Sequence, residues 1–235
     1  RNEGCIENKG LELTLNQDIL STKDFSWTAT LNFSYNRGKV VSLPENVALI
    51  QGGQYGDIFT VAYVGESTTG LAGIDYERNA AGDVIIDENG LPKVSPVKQT
   101  YIGNREPDCL LGLGSTFTWK DLSLSFLLDG RIGGDVANIT GRSLYSNGQN
   151  ALLVPYRNRK VVFKGVVDNG DGTYRPNTTP VILDQTTFNN YIYNVSSNFI
   201  EDGSYLRMSY VTLAYDFSNL MKRLGSSNPI KGLKC

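Results

Sequence analysis

The clearest alternation in the chain runs from Phe25 to Asn36. Phe25, Trp27, Ala29, Leu31, Phe33 and Tyr35 hold one parity; Ser26, Thr28, Thr30, Asn32, Ser34 and Asn36 hold the other. Successive side chains of a strand point to opposite faces, so the segment predicts a strand with one apolar face and one small-polar face. Its length matches the roughly 9–11 tilted residues with which a β-strand crosses a bilayer, lipid on one side and a wet lumen on the other. An amphipathic strand of a soluble sandwich alternates in the same way, so the neighbouring elements have to decide.

Upstream, Leu11, Leu13, Leu15 and Ile19 share one face and Glu12, Thr14, Asn16 and Asp18 the other, with Leu20 to Asp24 as a brief link. The two segments read as an antiparallel hairpin. After Arg37-Gly38-Lys39 the alternation dissolves into a long connection, about residues 40–105, rich in Gly, Asn, Asp and Tyr. Within it, Ala81 to Gly90 predicts a hairpin with turn signals at both ends. Leu111, Leu113, Phe117 and Trp119 then alternate with Gly112, Gly114, Thr116 and Thr118; Lys120-Asp121 is a two-residue turn; Leu122, Leu124, Phe126 and Leu128 follow. A second long connection, about residues 130–203, leads to a strand from Ser204 to Phe217 with Val211, Leu213, Tyr215 and Phe217 on one face. A link from Ser218 to Pro229 reaches Ile230, where a sixth strand is expected to start.

Connections thus alternate short, long, short, long, short. Compact domains seldom tolerate connections beyond about 12–15 residues, whereas outer-membrane barrels pair short periplasmic turns with long extracellular loops. In an up-and-down meander, Trp27, Trp119, Tyr215 and Phe217 all fall at the tight-turn ends of their strands. An interfacial aromatic girdle belongs there, while a soluble sandwich buries its Trp mid-strand. The predicted fold class is therefore all-β: part of an antiparallel up-and-down transmembrane barrel, about five strands and the start of a sixth, with two long extracellular loops. The competing reading, from a different class, is a soluble or surface-exposed β-sandwich that binds glycans or mediates adhesion.

Composition changes this picture little. The 235 residues include 22 Lys and Arg against 24 Asp and Glu, a net charge of −2, which supplies no global field for nucleic acid. No run of 18 or more apolar residues predicts a transmembrane helix, which leaves a barrel open. Arg1 to Gly4 do not read as a signal peptide, and Gly232 to Cys235 stop as an apolar segment begins. A piece of a longer protein is expected. Cys5, Cys109 and Cys235 are odd in number and far apart, against a disulfide framework or zinc site, and the absence of His removes His-based catalysis.

Candidate chemistry is sparse. Asp168-Asn169-Gly170-Asp171-Gly172 resembles the start of a calcium loop, which makes Asp168 and Asp171 the candidate metal ligands. The EF-hand template fails because its twelfth position is Thr179 rather than Glu; a Gly/Asp hairpin turn is the better reading, with a different calcium site in the loops left open. Glu12 and Asp18 share a strand face about 20 Å apart, too far for paired-carboxylate hydrolysis. Asn32 and Ser34 have no base nearby, so neither a triad nor an acid–base pair can be assembled. No enzymatic activity and no cofactor are expected. The loop tyrosines, Tyr55, Tyr63, Tyr145 and Tyr156 first among them and then Tyr76, Tyr101, Tyr191 and Tyr193, are candidates for substrate or partner contact, because aromatic faces stack on sugars and pack at interfaces. They could equally pack the loops themselves. Arg157-Asn158-Arg159-Lys160 reads as a solvated or acid-partner surface rather than a nucleic-acid site.

Six short stretches occur in order: Ile6 to Leu13 (IENKGLEL), Phe25 to Val40, Tyr101-Ile102-Gly103-Asn104 with Pro107-Asp108, Lys120 to Leu124 (KDLSL), Asn177 to Val181 (NTTPV) and Glu201 to Arg207 (EDGSYLR). Together they closely resemble the C-terminal barrel region of SusC/RagA-type TonB-dependent outer-membrane transporters, over nearly the whole chain. The resemblance implies a 22-stranded barrel with an N-terminal plug, in the outer membrane of a Gram-negative, Bacteroidota-type bacterium. It implies import of oligosaccharides, glycans or peptides with a SusD-like surface lipoprotein, driven by the TonB complex. The plug and TonB box have no counterpart in residues 1–235, and Cys5 and Cys109 stand where the pattern often has Gly, Val, Phe or Tyr.

Overall fold

The structure, a computed structural model, describes residues 4–45, 47–150 and 153–223. The chain divides into two compact units. One draws on residues 8–37, 107–133 and those from 203 onward; the other draws on the chain before residue 8 and on residues 38–106 and 134–202.

The first unit holds most of an antiparallel sheet of five long strands, Cys5–Ser21, Phe25–Ser42, Cys109–Trp119, Leu122–Ile132 and Tyr205–Tyr215, each beside the next in chain order. This is the expected meander. Its tight turns are locally specified. Lys120 sits at φ 53, which lets a two-residue turn close directly on the Trp119–Leu122 pair. The Thr22 amide and hydroxyl both donate to the Phe25 carbonyl, at 2.8 and 2.9 Å, and draw the first link shut. The second strand outlasts the alternation and continues to Ser42. The Ser218–Arg223 segment is a helix, and the sixth strand expected at Ile230 lies outside the described residues.

One irregularity is decisive for the last strand. Leu206 and Met208 have even numbers, Val211, Leu213 and Tyr215 odd ones, so strict alternation would split them between faces. The pairing register shifts between Met208 and Tyr210, with Met208 opposite Leu128 and Tyr210 opposite Leu127. This bulge at Ser209 puts all five apolar side chains on one face.

The second unit is built largely from the two long connections. It contains a four-stranded sheet, Leu49–Tyr55, Ile58–Tyr63, Gly70–Gly73 and Thr100–Asn104. The Ala81–Gly90 region is not a single hairpin. Turns Asn79–Asp83 and Asp87–Leu91 flank a shared middle segment, and Ile86 bridges Pro92 as Val84 bridges Arg78. Ile85–Ile86 also pairs in parallel with Val166–Asp168. The second connection adds the helix Ile139–Ser146, capped by the Asn138 side chain, and a helical run from Gln185 through Tyr193. Among the described residues, the buried apolar ones, including Val40, Val61, Leu71, Ala72, Ile86, Val167, Val195 and Phe199, all belong to this unit.

Candidate functional site

The five-strand sheet has two chemically distinct faces, aligned strand by strand. On one, the register Leu31–Leu113–Leu128–Met208 is followed, one step nearer the tight turns, by Ala29–Ser115–Phe126–Val211, and then by Trp27–Phe117–Leu124–Leu213. Among the described residues this face stays exposed: Leu11 is 60% exposed, Leu213 66% and Leu206 77%. Ser115, a polar residue on this face, accepts the Trp27 indole N–H at 2.8 Å and satisfies the ring's donor. The terminal row Phe25–Trp119–Leu122–Tyr215 gathers the aromatics at the tight-turn end, as expected from the meander. Trp27 stacks on Phe117 at 5.4 Å, and Tyr215 meets Phe217 edge-on at 4.7 Å.

The opposite face is polar and hydrogen-bonded across strands. Thr14 donates to Asn32 at 3.0 Å, Thr30 to Asn16 at 2.8 Å, and the Thr116 and Ser125 hydroxyls lie 3.0 Å apart. Asp129 accepts from Ser209 and lies 3.7 Å from the Arg207 guanidinium. Leu127 and Tyr210, brought opposite each other by the bulge, are apolar insertions in this wall. Together the two faces form the strand architecture of a transmembrane β-barrel portion, lipid-compatible on one side and hydrated on the other.

The loop unit is tied together by buried polar groups. The Arg142 guanidinium, 10% exposed, pairs with Asp57, donates to the Tyr193 carbonyl at 3.1 Å and lies over the Tyr193 and Phe199 rings. Ser196 donates to the other Asp57 oxygen at 2.6 Å and accepts the Ile74 amide at 3.1 Å. Beside it, Asp75 accepts from Arg78 at 3.0 and 3.1 Å and from Ser197 at 2.6 Å. Burial alone would raise both carboxyls, but the hydrogen bonds from Arg142 and Ser196 hold Asp57, and those from Arg78 and Ser197 hold Asp75, below the ordinary carboxylate range.

A depressed folded-state pKa stabilises the fold above the unfolded value, here 3.8, and that stabilisation disappears as pH falls through the folded value. The loop unit should therefore hold its stability from neutral pH to about pH 5 and lose it progressively below about pH 4. Hydrogen exchange of residues 57–75 and 193–198 would read this; Asp57→Asn should flatten the acid limb, and an unchanged limb would contradict the assignment.

The candidate tyrosines separate. Tyr63 is half-buried, donates to the Gln99 carbonyl at 2.5 Å and packs edge-on against Tyr101 at 6.3 Å; burial raises the pKa of both phenols. Tyr76 donates to the Tyr191 carbonyl at 2.6 Å and accepts from Asn198 at 2.7 Å. Tyr145 packs on Phe188 and Phe199 at 6.0 and 5.8 Å while lining a cleft of about 380 Å³. Tyr55 and Tyr156 are exposed. Asp168 and Asp171 lie in the turn between Val166–Asp168 and Tyr174–Pro176, and each accepts a backbone N–H of that turn, from Gly170 at 2.8 Å and Thr173 at 2.9 Å. Gly170 and Gly172 both have φ +82, which explains the glycines without a metal. Among the described residues, no group of three or more Cys, Asp or Glu side chains is placed to hold an ion.

Asp57, Arg142 and Ser196 carry no signal in the sequence, because they meet across 85 and 139 positions. Asp75 and Arg78 stand three apart in the chain, but nothing local reveals that Ser197 joins them.

No family model matches the chain. Curated relatives do. TonB-dependent receptor P26 of Formosa agariphila is 28% identical over 238 residues, covering 92% of this chain and 22% of that protein. TonB-dependent receptor SusC of Bacteroides thetaiotaomicron is 26% identical over 253 residues, covering 94% and 22%. Among solved structures, the RagAB peptide transporter aligns over 100% of this chain and 25% of that one with a TM-score of 0.62 at 20% identity, and the closed-closed RagAB peptide importer aligns with the same TM-score at 18%. The resemblance to SusC/RagA-type TonB-dependent receptors is thus found in sequence relatives and, for the fold, in solved structures. The chain spans about a quarter of the length of these proteins.

Proposed function

We propose that residues 1–235 form a C-terminal part of the barrel of a SusC/RagA-type, TonB-dependent importer in the outer membrane of a Bacteroidota-type bacterium. The observation that carries this reading is the uncovered apolar face, continuous across five strands and edged by aromatics at the tight-turn end, backed by a hydrogen-bonded polar face. The names of the relatives support it. On this reading the tight turns are periplasmic and the two long connections extracellular, and transport proceeds by binding and gated passage along the hydrated wall, with no covalent chemistry. The remaining strands, the plug and its TonB contact come from outside residues 1–235. A SusD-like lipoprotein is the proposed partner, and an oligosaccharide or peptide the cargo.

The test is fractionation of the full gene product. Recovery from detergent-extracted outer membrane, with a heat-dependent shift in gel mobility, is expected. Recovery as a soluble protein with no shift would overturn the importer and return the β-sandwich reading, with Trp27 and Trp119 as core residues.

A further inference from the structure

We infer, resting on the barrel assignment proposed above, that the free edge of the four-stranded sheet takes up an extended segment of the same polypeptide: the connection that leads into Cys5. Leu49–Tyr55 is the outer strand on one side of that sheet and Thr100–Asn104 on the other. The second side is closed, since the Asn104 amide donates to Asp135 at 2.7 Å. The first is open. Among the described residues Leu49–Tyr55 pairs with Ile58–Tyr63 alone, and Ile50 to Tyr55 are exposed. Its sequence, LIQGGQY, holds no charge and no Pro, the residues that usually keep an edge from pairing.

The glycines of the sheet are an independent observation. An added Cβ would lie 2.5 Å from Tyr101 at Gly70, 2.7 Å from Ser196 at Gly73 and 2.8 Å from Asp135 at Gly103, so close packing requires all three. At Gly53 it would meet nothing within 4 Å, and at Gly52 only Thr60, at an ordinary 3.6 Å. Neither has a positive φ, so the register shift between Gln51 and Gln54 does not require them. Strand glycines that their own fold does not explain mark a close approach by another backbone. Gly53 also opens a hollow of about 390 Å³ shared with Tyr55, Phe59, Leu71 and Val136. Uncharged apart from Arg105, it fits an apolar side chain of the incoming strand.

The path of the chain selects the occupant. The Thr14–Asn32 and Thr30–Asn16 hydrogen bonds set the first two long strands antiparallel. Gly4 therefore stands beside Ser42, and a Cβ on it would lie 3.7 Å from the Ser42 carbonyl oxygen. Residues 4–7 belong to the loop unit, which carries the open edge. A connection arriving there is tethered at high effective concentration, an advantage that a second copy or a separate protein lacks.

The test is photo-crosslinking of the full-length protein in intact cells, with p-benzoylphenylalanine in place of Ile50, read by peptide mass spectrometry. A cross-link to the segment immediately N-terminal to residue 1 is expected. Cross-links to a second copy or to the lipoprotein, or none at all, would overturn the assignment. Gly53→Phe gives a second readout. By filling the hollow it should speed hydrogen exchange of that segment roughly tenfold while leaving Ile58–Tyr63 unchanged. Equal exchange in both proteins would overturn it too. An outer-membrane protein without the cross-link fails here alone, and a soluble one that retains it fails only the importer.

Discussion

Leu113→Arg should cost about 2–4 kcal/mol of folding stability in lipid, the penalty for a cation near the middle of a barrel's lipid face. Leu113 lies mid-strand between Leu31 and Leu128, on the face that stays exposed among the described residues. The opposite face provides the control. Thr212, which pairs with Ser125 among hydroxyls, should accept Lys at a cost within about 1 kcal/mol, because a hydrated wall solvates the charge. Denaturant titration of the full-length protein refolded into vesicles measures both. Equal penalties at the two positions, or a cooperatively folded protein in buffer without lipid or detergent, would contradict the assignment of faces.

Arg142→Ala should destabilise the loop unit by about 3 kcal/mol. Removing one member of a buried pair typically costs about 3–5 kcal/mol, because it strands the other charge. Asp57 keeps 27% of its side chain exposed and retains Ser196 as a donor, which places the expectation at the lower end. The lost contacts with the Tyr193 and Phe199 rings act in the same direction. Arg142 Nε is buried without a partner, so the pair is already imperfectly satisfied. Arg142→Met combined with Asp57→Asn should therefore recover part of the loss by removing both charges. Hydrogen exchange across residues 139–146 and 193–199 reads the effect, and additivity of the two single changes would show that the pair is not coupled.

The long strands were legible because a strand that separates two media repeats one rule at every second residue. Phe25 to Asn36 states that rule without interruption, and Lys120-Asp121 marks its own turn. The rule failed where the backbone broke period. The bulge at Ser209 reverses parity between Met208 and Val211, and single-parity reading kept only Val211, Leu213, Tyr215 and Phe217 together. It also failed in the connections, where strands of two to seven residues are too short to show a period. Their apolar residues read as loop until packing brought Val61, Ala72, Ile86 and Val195 into buried positions.

The sequence by itself determined the two faces of the sheet, the alternation of tight and long connections, the row of aromatics beside the turns, and the resemblance that these and the six motifs carry. Each depends on neighbours in the chain, and alternation and turn chemistry are local properties. Only the tertiary structure decided that the connections fold around a buried core, that Arg142 meets Asp57 and Ser196, and that Tyr145 packs between Phe188 and Phe199. Those arrangements join residues tens of positions apart, and a contact of that kind leaves no periodic trace. It exists only once hydrophobic burial and the pairing of buried polar groups have brought distant segments together.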